Sequence, residues 1–219
     1  SYDRMISLVQ MAENYLTRHK AWELPVQRGA GARKPLRIKA AQLRTEVSRA
    51  AGFPLVMRAH TNDRSLAFCN RKDLKDISRH GPATPDHVIR TKRIPMIGGD
   101  VDGYSREYRD YFSQYAPLAK EPKTMLDPAP RVVLDRDLGM CALGRSAKDA
   151  AIVADLYSHT MDVIERASAL GGYRALPAND IFDVEYWDLE QAKLKQGGKP
   201  PVFSGEVALV TGAASGIGK

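Results

Sequence analysis

One local pattern limits the fold more than any other: two short apolar runs, a tight turn between them, and a long helix directly after. Arg131-Val-Val-Leu134 and Met140-Cys-Ala-Leu143 flank a turn at Asp135 to Gly139, the composition of a β-hairpin. Gly144 ends the second run, and Ser146 is placed to cap a helix reaching Ala169. Ala150, Val153, Ala154, Tyr157, Val163, Ile164 and Ala167 recur on its apolar face, and Gly171 and Gly172 stop it. A hairpin followed by a helix with one apolar face predicts an α/β fold with a small, mostly antiparallel sheet flanked by helices.

The remaining elements are assigned by the same signals. Met5, Leu8, Val9, Ala12, Tyr15 and Leu16 have helical spacing and predict an amphipathic helix over Tyr2 to Arg18. Pro25 and Gly29-Ala-Gly31 mark a loop, and a second helix is predicted from Leu36 to Ala51, ended by Gly52. Pro54 to His60 and Ser65 to Cys69 read as two strands around a turn at Thr61 to Arg64. Asn70 is placed to cap a short helix over Asp73 to Arg79, stopped by Gly81 and Pro82, and His87 to Ile97 reads as a strand. Tyr104, Tyr108, Tyr111, Phe112 and Tyr115 share one side of a predicted helix and are expected to be core. A proline-bearing loop covers Leu118 to Pro130, and Gly197 to Pro201 form a linker after Phe182, Tyr186, Trp187 and Leu189.

A chain of 219 residues buries a sizeable core and holds one or two domains. No apolar run approaches the ~20 residues that span a bilayer. With only Cys69 and Cys141, lone buried thiols and a cytoplasmic location are expected. The net charge of +7 is unevenly placed: nine cations between Arg18 and Arg49 face only Glu23 and Glu46. Such a stretch is one alternative for nucleic-acid binding. It lacks interleaved aromatics, zinc-finger spacing and a helix-turn-helix, so a solvated linker and helix face, with no nucleic-acid partner, is the expectation.

The chain closes on Val207-Ala-Leu-Val-Thr-Gly-Ala-Ala-Ser-Gly-Ile-Gly-Lys219. A short apolar run followed by Gly212, Gly216 and Gly218 is what a buried parallel strand and a phosphate-cradling turn require. Thr211-Gly-x-x-x-Gly-Ile-Gly218 resembles the cofactor loop of short-chain dehydrogenases. The resemblance implies NAD or NADP at Gly212, Ser215, Gly216, Ile217 and Gly218, with residues 205–219 the first strand and turn of a Rossmann domain that is otherwise missing.

Three further segments resemble one arrangement: Ser1 to Glu13, Gly81 to Lys92, and Phe182 to Lys193. With the glycine-rich end, they look like the middle of bifunctional proteins joining a class II aldolase to a short-chain dehydrogenase, of the rhamnulose-1-phosphate aldolase/alcohol dehydrogenase type. In that family the aldolase holds zinc through an acidic residue, a His-x-His pair and a histidine before glycine in a hairpin. This chain departs from the pattern: its five histidines include no His-x-His, and Leu138 precedes Gly139 in the hairpin. Leucine cannot ligate zinc. The resemblance therefore implies zinc ligands upstream of Ser1, with no metal-ligating or catalytic residue in this chain. Residues 1–20 become the C-terminal helix of an upstream aldolase, 34–190 a degenerate aldolase-like connecting domain, and 197–203 a linker. The parent is expected to be an aldehyde-lyase and oxidoreductase acting on a sugar phosphate or aldehyde, and the piece a scaffold aiding homo-oligomerisation.

One internal segment carries an alternative, an active sugar-phosphate site. On a strand from Asp86, alternation places Arg90 and Lys92 on one face, where a fork and a point charge together suit a phosphate or carboxylate. His87, on the opposite face, is a candidate acid or base. The structural alternative is an edge strand with solvated charges.

Overall fold

The computed structural model describes residues 2–23, 36–195 and 201–219. In chain order the elements are α1 (Tyr2–Arg18), α2 (Arg37–Ala51), β1 (Val56–His60), α3 (Asp63–Cys69), α4 (Leu74–Ser78), α5 (Val88–Thr91), β2 (Met96–Ile97) and α6 (Val101–Tyr115). They continue with β3 (Val132–Asp135), β4 (Gly139–Gly144), α7 (Ala147–Ser168), α8 (Ala178–Glu185) and α9 (Asp188–Lys195). The strands form one sheet ordered β1-β4-β3-β2, antiparallel except for the short parallel pairing of β2 with β3. The mostly antiparallel α/β expectation therefore holds.

Both strands of the hairpin are buried along their whole length, and the period of two divides their side chains between two cores. Val133, Cys141 and Leu143 pack with Leu43 and Val47 of α2 and Val101 and Tyr104 of α6. Val132, Leu134, Met140 and Ala142 pack on the other face with Phe68, Val153, Tyr157, Met161 and Ile164. The result is helix, sheet, helix. A tight corner opens β4: Gly139 has φ +73, and a Cβ there would lie 2.3 Å from the His60 carbonyl oxygen of the neighbouring strand.

Capping follows the sequence signals at both principal helices. Ser146 Oγ accepts from the Asp149 backbone N–H at 3.0 Å at the start of α7, and Gly52, in left-handed conformation, closes α2. The tyrosines of α6 are core as expected: Tyr104 joins the α2 layer, and Tyr108 and Tyr111 form a third cluster with Phe182 and Tyr186. Both cysteines are free and buried, and desolvation pushes each thiol up to about 12.

Four local expectations are corrected. Ser65 to Cys69 is helical, because Asn62 accepts the Ser65 backbone N–H at 2.8 Å and starts α3 two residues after the strand. Asn70 is the C-cap of α3 rather than the start of α4; its side chain donates to the carbonyls of Leu66 and Arg136. The strand expected over His87 to Ile97 is helical over its first part, as far as Thr91. Pro85 opens a 3-10 turn over Pro85–His87 that runs into α5, and only Met96–Ile97 pairs. Val207 to Val210 lie in no strand, and Val207, Leu209 and Val210 are exposed; a strand needs at least one hydrogen-bonded neighbour, and among the described residues none pairs with this segment.

Helix α1 forms as expected, but none of its residues is buried. The turn after it is fastened: Ala21 is buried, and the Arg166 guanidinium lies 4.8 Å from the Trp22 ring centroid. The expected loop at Pro25 and Gly29 to Gly31, and most of the linker at Gly197 to Pro201, lie outside the described residues. Among the described residues no helix is long and apolar enough to cross a membrane.

These contacts rank two substitutions. Leu134→Ala opens a cavity between the hairpin and α7 and is expected to cost about 2–5 kcal/mol, whereas Ser146→Ala removes one cap and costs about 1 kcal/mol. Urea denaturation of the two variants checks the order.

Candidate functional site

Among the described residues two buried groups of opposite charge, Lys92 and Glu185, come together where α5, α6 and α8 meet. Helix α5 stops at Lys92, whose backbone sits at φ 63 and ψ 168. That is a costly conformation for a non-glycine residue, about 1–3 kcal/mol, and it persists only where surroundings hold it. What holds it here is the side chain. The Lys92 ammonium donates to the Asp127 carbonyl at 2.8 Å, lies 4.0 Å from the centre of the Tyr108 ring, and stands 4.0 Å from Glu185 Oε1.

Glu185 is fully buried at the end of α8. The Tyr108 hydroxyl donates to its Oε1 at 2.7 Å and shares a 2.8 Å bond with the Tyr186 hydroxyl, and Glu185 Oε2 has no partner. Burial holds the lysine down at about 8, with Glu185 opposing that shift. It also raises the Glu185 carboxyl, against the pull of Lys92 and of the hydroxyls of Tyr108 and Tyr111. Both shifts run toward the neutral forms, so an ion pair here is held by geometry more than by favourable solvation. Beside it, Arg93, Ile94, Tyr104, Glu107, Tyr108 and Tyr111 line a shallow cleft of about 220 Å³. Within that lining Glu107 already pairs with Arg79 and lies 3.9 Å from Arg93.

The candidates singled out from sequence have separate surroundings. Lys92 points into the buried cluster, Arg90 lies 3.7 Å from Asp149 at the start of α7, and His87 sits with its ring centroid 6.5 Å from that of His159. The helical turn replaces the strand that was to place Arg90 and Lys92 on one face. His87 Nδ1 is buried without a partner, and burial lowers the imidazole pKa, so the ring is neutral at pH 7. Glu185, Tyr108 and Tyr186 were not recognised as a site from sequence. Glu185 shares the segment Ile181 to Trp187 with a second acid, Asp183, so nothing local marks it as the buried one.

Among the described residues no set of zinc ligands is found. Leu138, in the hairpin position of the expected zinc histidine, is only 3% exposed and packs in the α2 core. His60, His87 and His159 are on different elements, and among the described residues no three His, Cys, Asp or Glu side chains gather as a metal set. In the glycine-rich segment Gly212 and Gly216 have φ +67 and +69, as a tight turn requires, and Ile217 is fully exposed. Of the basic segment, Lys39 pairs with Asp135 and Asp137, Arg44 donates to two carbonyls, and Arg28, Arg33 and Lys34 lie outside the described residues.

The buried pair makes a double-mutant prediction. Glu185→Leu strands the Lys92 ammonium and is expected to cost about 3–5 kcal/mol, most of it recovered in Lys92→Met/Glu185→Leu; urea denaturation reads both. It also predicts a pH profile. Above about 8 the unfolded chain holds the Lys92 proton that the folded chain has released, so stability rises with pH toward 10.5. Just above 4.5 the folded chain holds the Glu185 proton that the unfolded chain has lost, so stability falls as pH rises. Wild-type stability relative to the double variant should therefore be lowest near neutral pH and rise on both sides.

Comparisons with known proteins agree with the domain described. The family model described as "Aldolase class II, second domain" matches residues 36–194. The curated protein "Uncharacterized oxidoreductase YuxG" of Bacillus subtilis (strain 168) is 32% identical over 181 residues, which cover 75% of this chain and 26% of that protein. The chain thus spans about a quarter of the curated relative it matches. The crystal structure of YgbL from Escherichia coli is 18% identical, covering 67% of this chain and 64% of that one, with a TM-score of 0.42, a likeness that carries no information about function. The family match takes in the sheet, both helical layers and the Lys92–Glu185 cluster, and on that ground this chain belongs to the class II aldolase family, as its second domain.

Proposed function

We propose that this chain is a non-catalytic, aldolase-like connecting domain of a longer bifunctional protein, which joins a zinc-dependent sugar-phosphate aldolase to an NAD(P)-dependent short-chain dehydrogenase. The observation that carries the proposal is Leu138: where an aldolase hairpin would present a metal-binding histidine, a leucine side chain lies in the core. A repeat that keeps the packing and gives up the ligand retains the fold's surface without its chemistry.

The dehydrogenase half is supported by two features. Thr211 to Gly218 carries the glycine spacing of a dinucleotide turn, and the curated relative, named an oxidoreductase, is about four times the length matched. On this reading residues 1–20 end the upstream aldolase, residues 205–219 begin the nucleotide-binding domain, and the small-molecule substrate belongs to the flanking enzymes. The connecting domain orients the two and assists homo-oligomerisation.

The test is to load the purified chain with zinc, remove free metal by gel filtration, and measure bound zinc together with cleavage of a ketose 1-phosphate. Substoichiometric zinc and no cleavage are expected. One tightly held zinc per chain with cleavage would overturn the proposal.

A further inference from the structure

We infer that Ser204–Glu206 is a docked clip, which fixes the point and direction at which the chain leaves the aldolase-like domain toward the glycine-rich segment. The clip itself rests on contacts alone; its use in holding two enzymes in register rests on the proposed function.

The receiving surface is the corner between α2 and β1. Gly52 ends α2, and Ser48 Oγ accepts the Leu55 backbone N–H at 3.1 Å, which fixes the residues between. One arginine then joins the corner to the departing chain: Arg44 Nε donates to the Leu55 carbonyl at 2.6 Å and its Nη2 donates to the Gly205 carbonyl at 2.9 Å. Ser204 Oγ donates to the Arg145 carbonyl at 3.2 Å, just past the end of β4. The connector is itself folded into a turn, with Ser204 N–H bonded to the Pro201 carbonyl and Glu206 N–H to that of Phe203.

Gly205 shows that the fit is close. It is buried, while its neighbours Phe203 and Val207 are 79% and 69% exposed. Its φ of +82 suits glycine, and a Cβ there would stand 2.1 Å from the Pro54 carbonyl oxygen. Backbone meets backbone at this point, so a side chain would push the turn off the surface. A flexible tether would need neither the contact nor the glycine.

The experiment uses the 219-residue chain and chymotrypsin, which must locally unfold the turn to cut after Phe203, with Leu209 as an internal reference beyond the clip. In Gly205→Val, cleavage at Phe203 should accelerate about tenfold or more relative to Leu209, with an unchanged melting temperature. Arg44→Gln should accelerate it in the same sense. Wild-type cleavage at Phe203 as fast as at Leu209, or no acceleration in Gly205→Val, overturns the clip. So does a melting temperature that falls with the cleavage change in Gly205→Val, because the segment would then be part of the domain's core. Failure of the zinc test would leave these outcomes untouched, so the two readings are separable.

Discussion

The β3–β4 hairpin is the constraint on which the other elements depend. It is buried on both faces, so each successive side chain must find a different helical layer. Val133 and Cys141 look toward α2 and α6, and Leu134 and Met140 toward α3 and α7. A slip of one residue in its register would exchange the two sets and unfit both layers at once. The corner at Gly139 and the Ser146 cap place the strand and the helix that follow it, and β1 and β2 then complete the sheet on either side.

The Lys92–Glu185 cluster lies away from that sheet, among α5, α6 and α8. Apolar packing surrounds it: Tyr108, Tyr111, Phe182 and Tyr186 form one aromatic cluster. A buried charge pair adds little net stability over a hydrocarbon replacement, but it admits few alternative arrangements, because each ion needs the other. The strained backbone at Lys92 belongs with this. The positive φ turns the chain out of α5 and lets the amine reach Asp127 and Glu185 together.

On the proposed connecting role, the two ends of the domain matter as much as its core. At one end the turn after α1 is held through Ala21 and Trp22; at the other the chain leaves over Gly205. Both attachments are made by residues outside the sheet, and each uses an arginine, Arg166 and Arg44 respectively. The guanidinium serves the two joints differently: that of Arg166 lies against the Trp22 ring, and that of Arg44 forks to two carbonyls.

Signals confined to neighbouring residues were legible without coordinates. The hairpin, the cap at Ser146, the stops at Gly52 and Gly171, the tyrosine stripe of α6 and the leucine in place of a hairpin histidine all follow from local conformational preference or side-chain chemistry. The apolar run Ser65 to Cys69 was ambiguous, because short runs suit a strand or a helix, and one hydrogen bond from Asn62 settled it as helix. The direction of Lys92 was beyond local inference altogether. Its partners Asp127 and Glu185 lie 35 and 93 positions away, and only packing α8 against α6 brings them within reach. The sequence by itself determined the hairpin, the long helices and the residues that cap or stop them. The tertiary structure alone decided which charges are buried together, because desolvation and pairing act through space and leave no period in the chain.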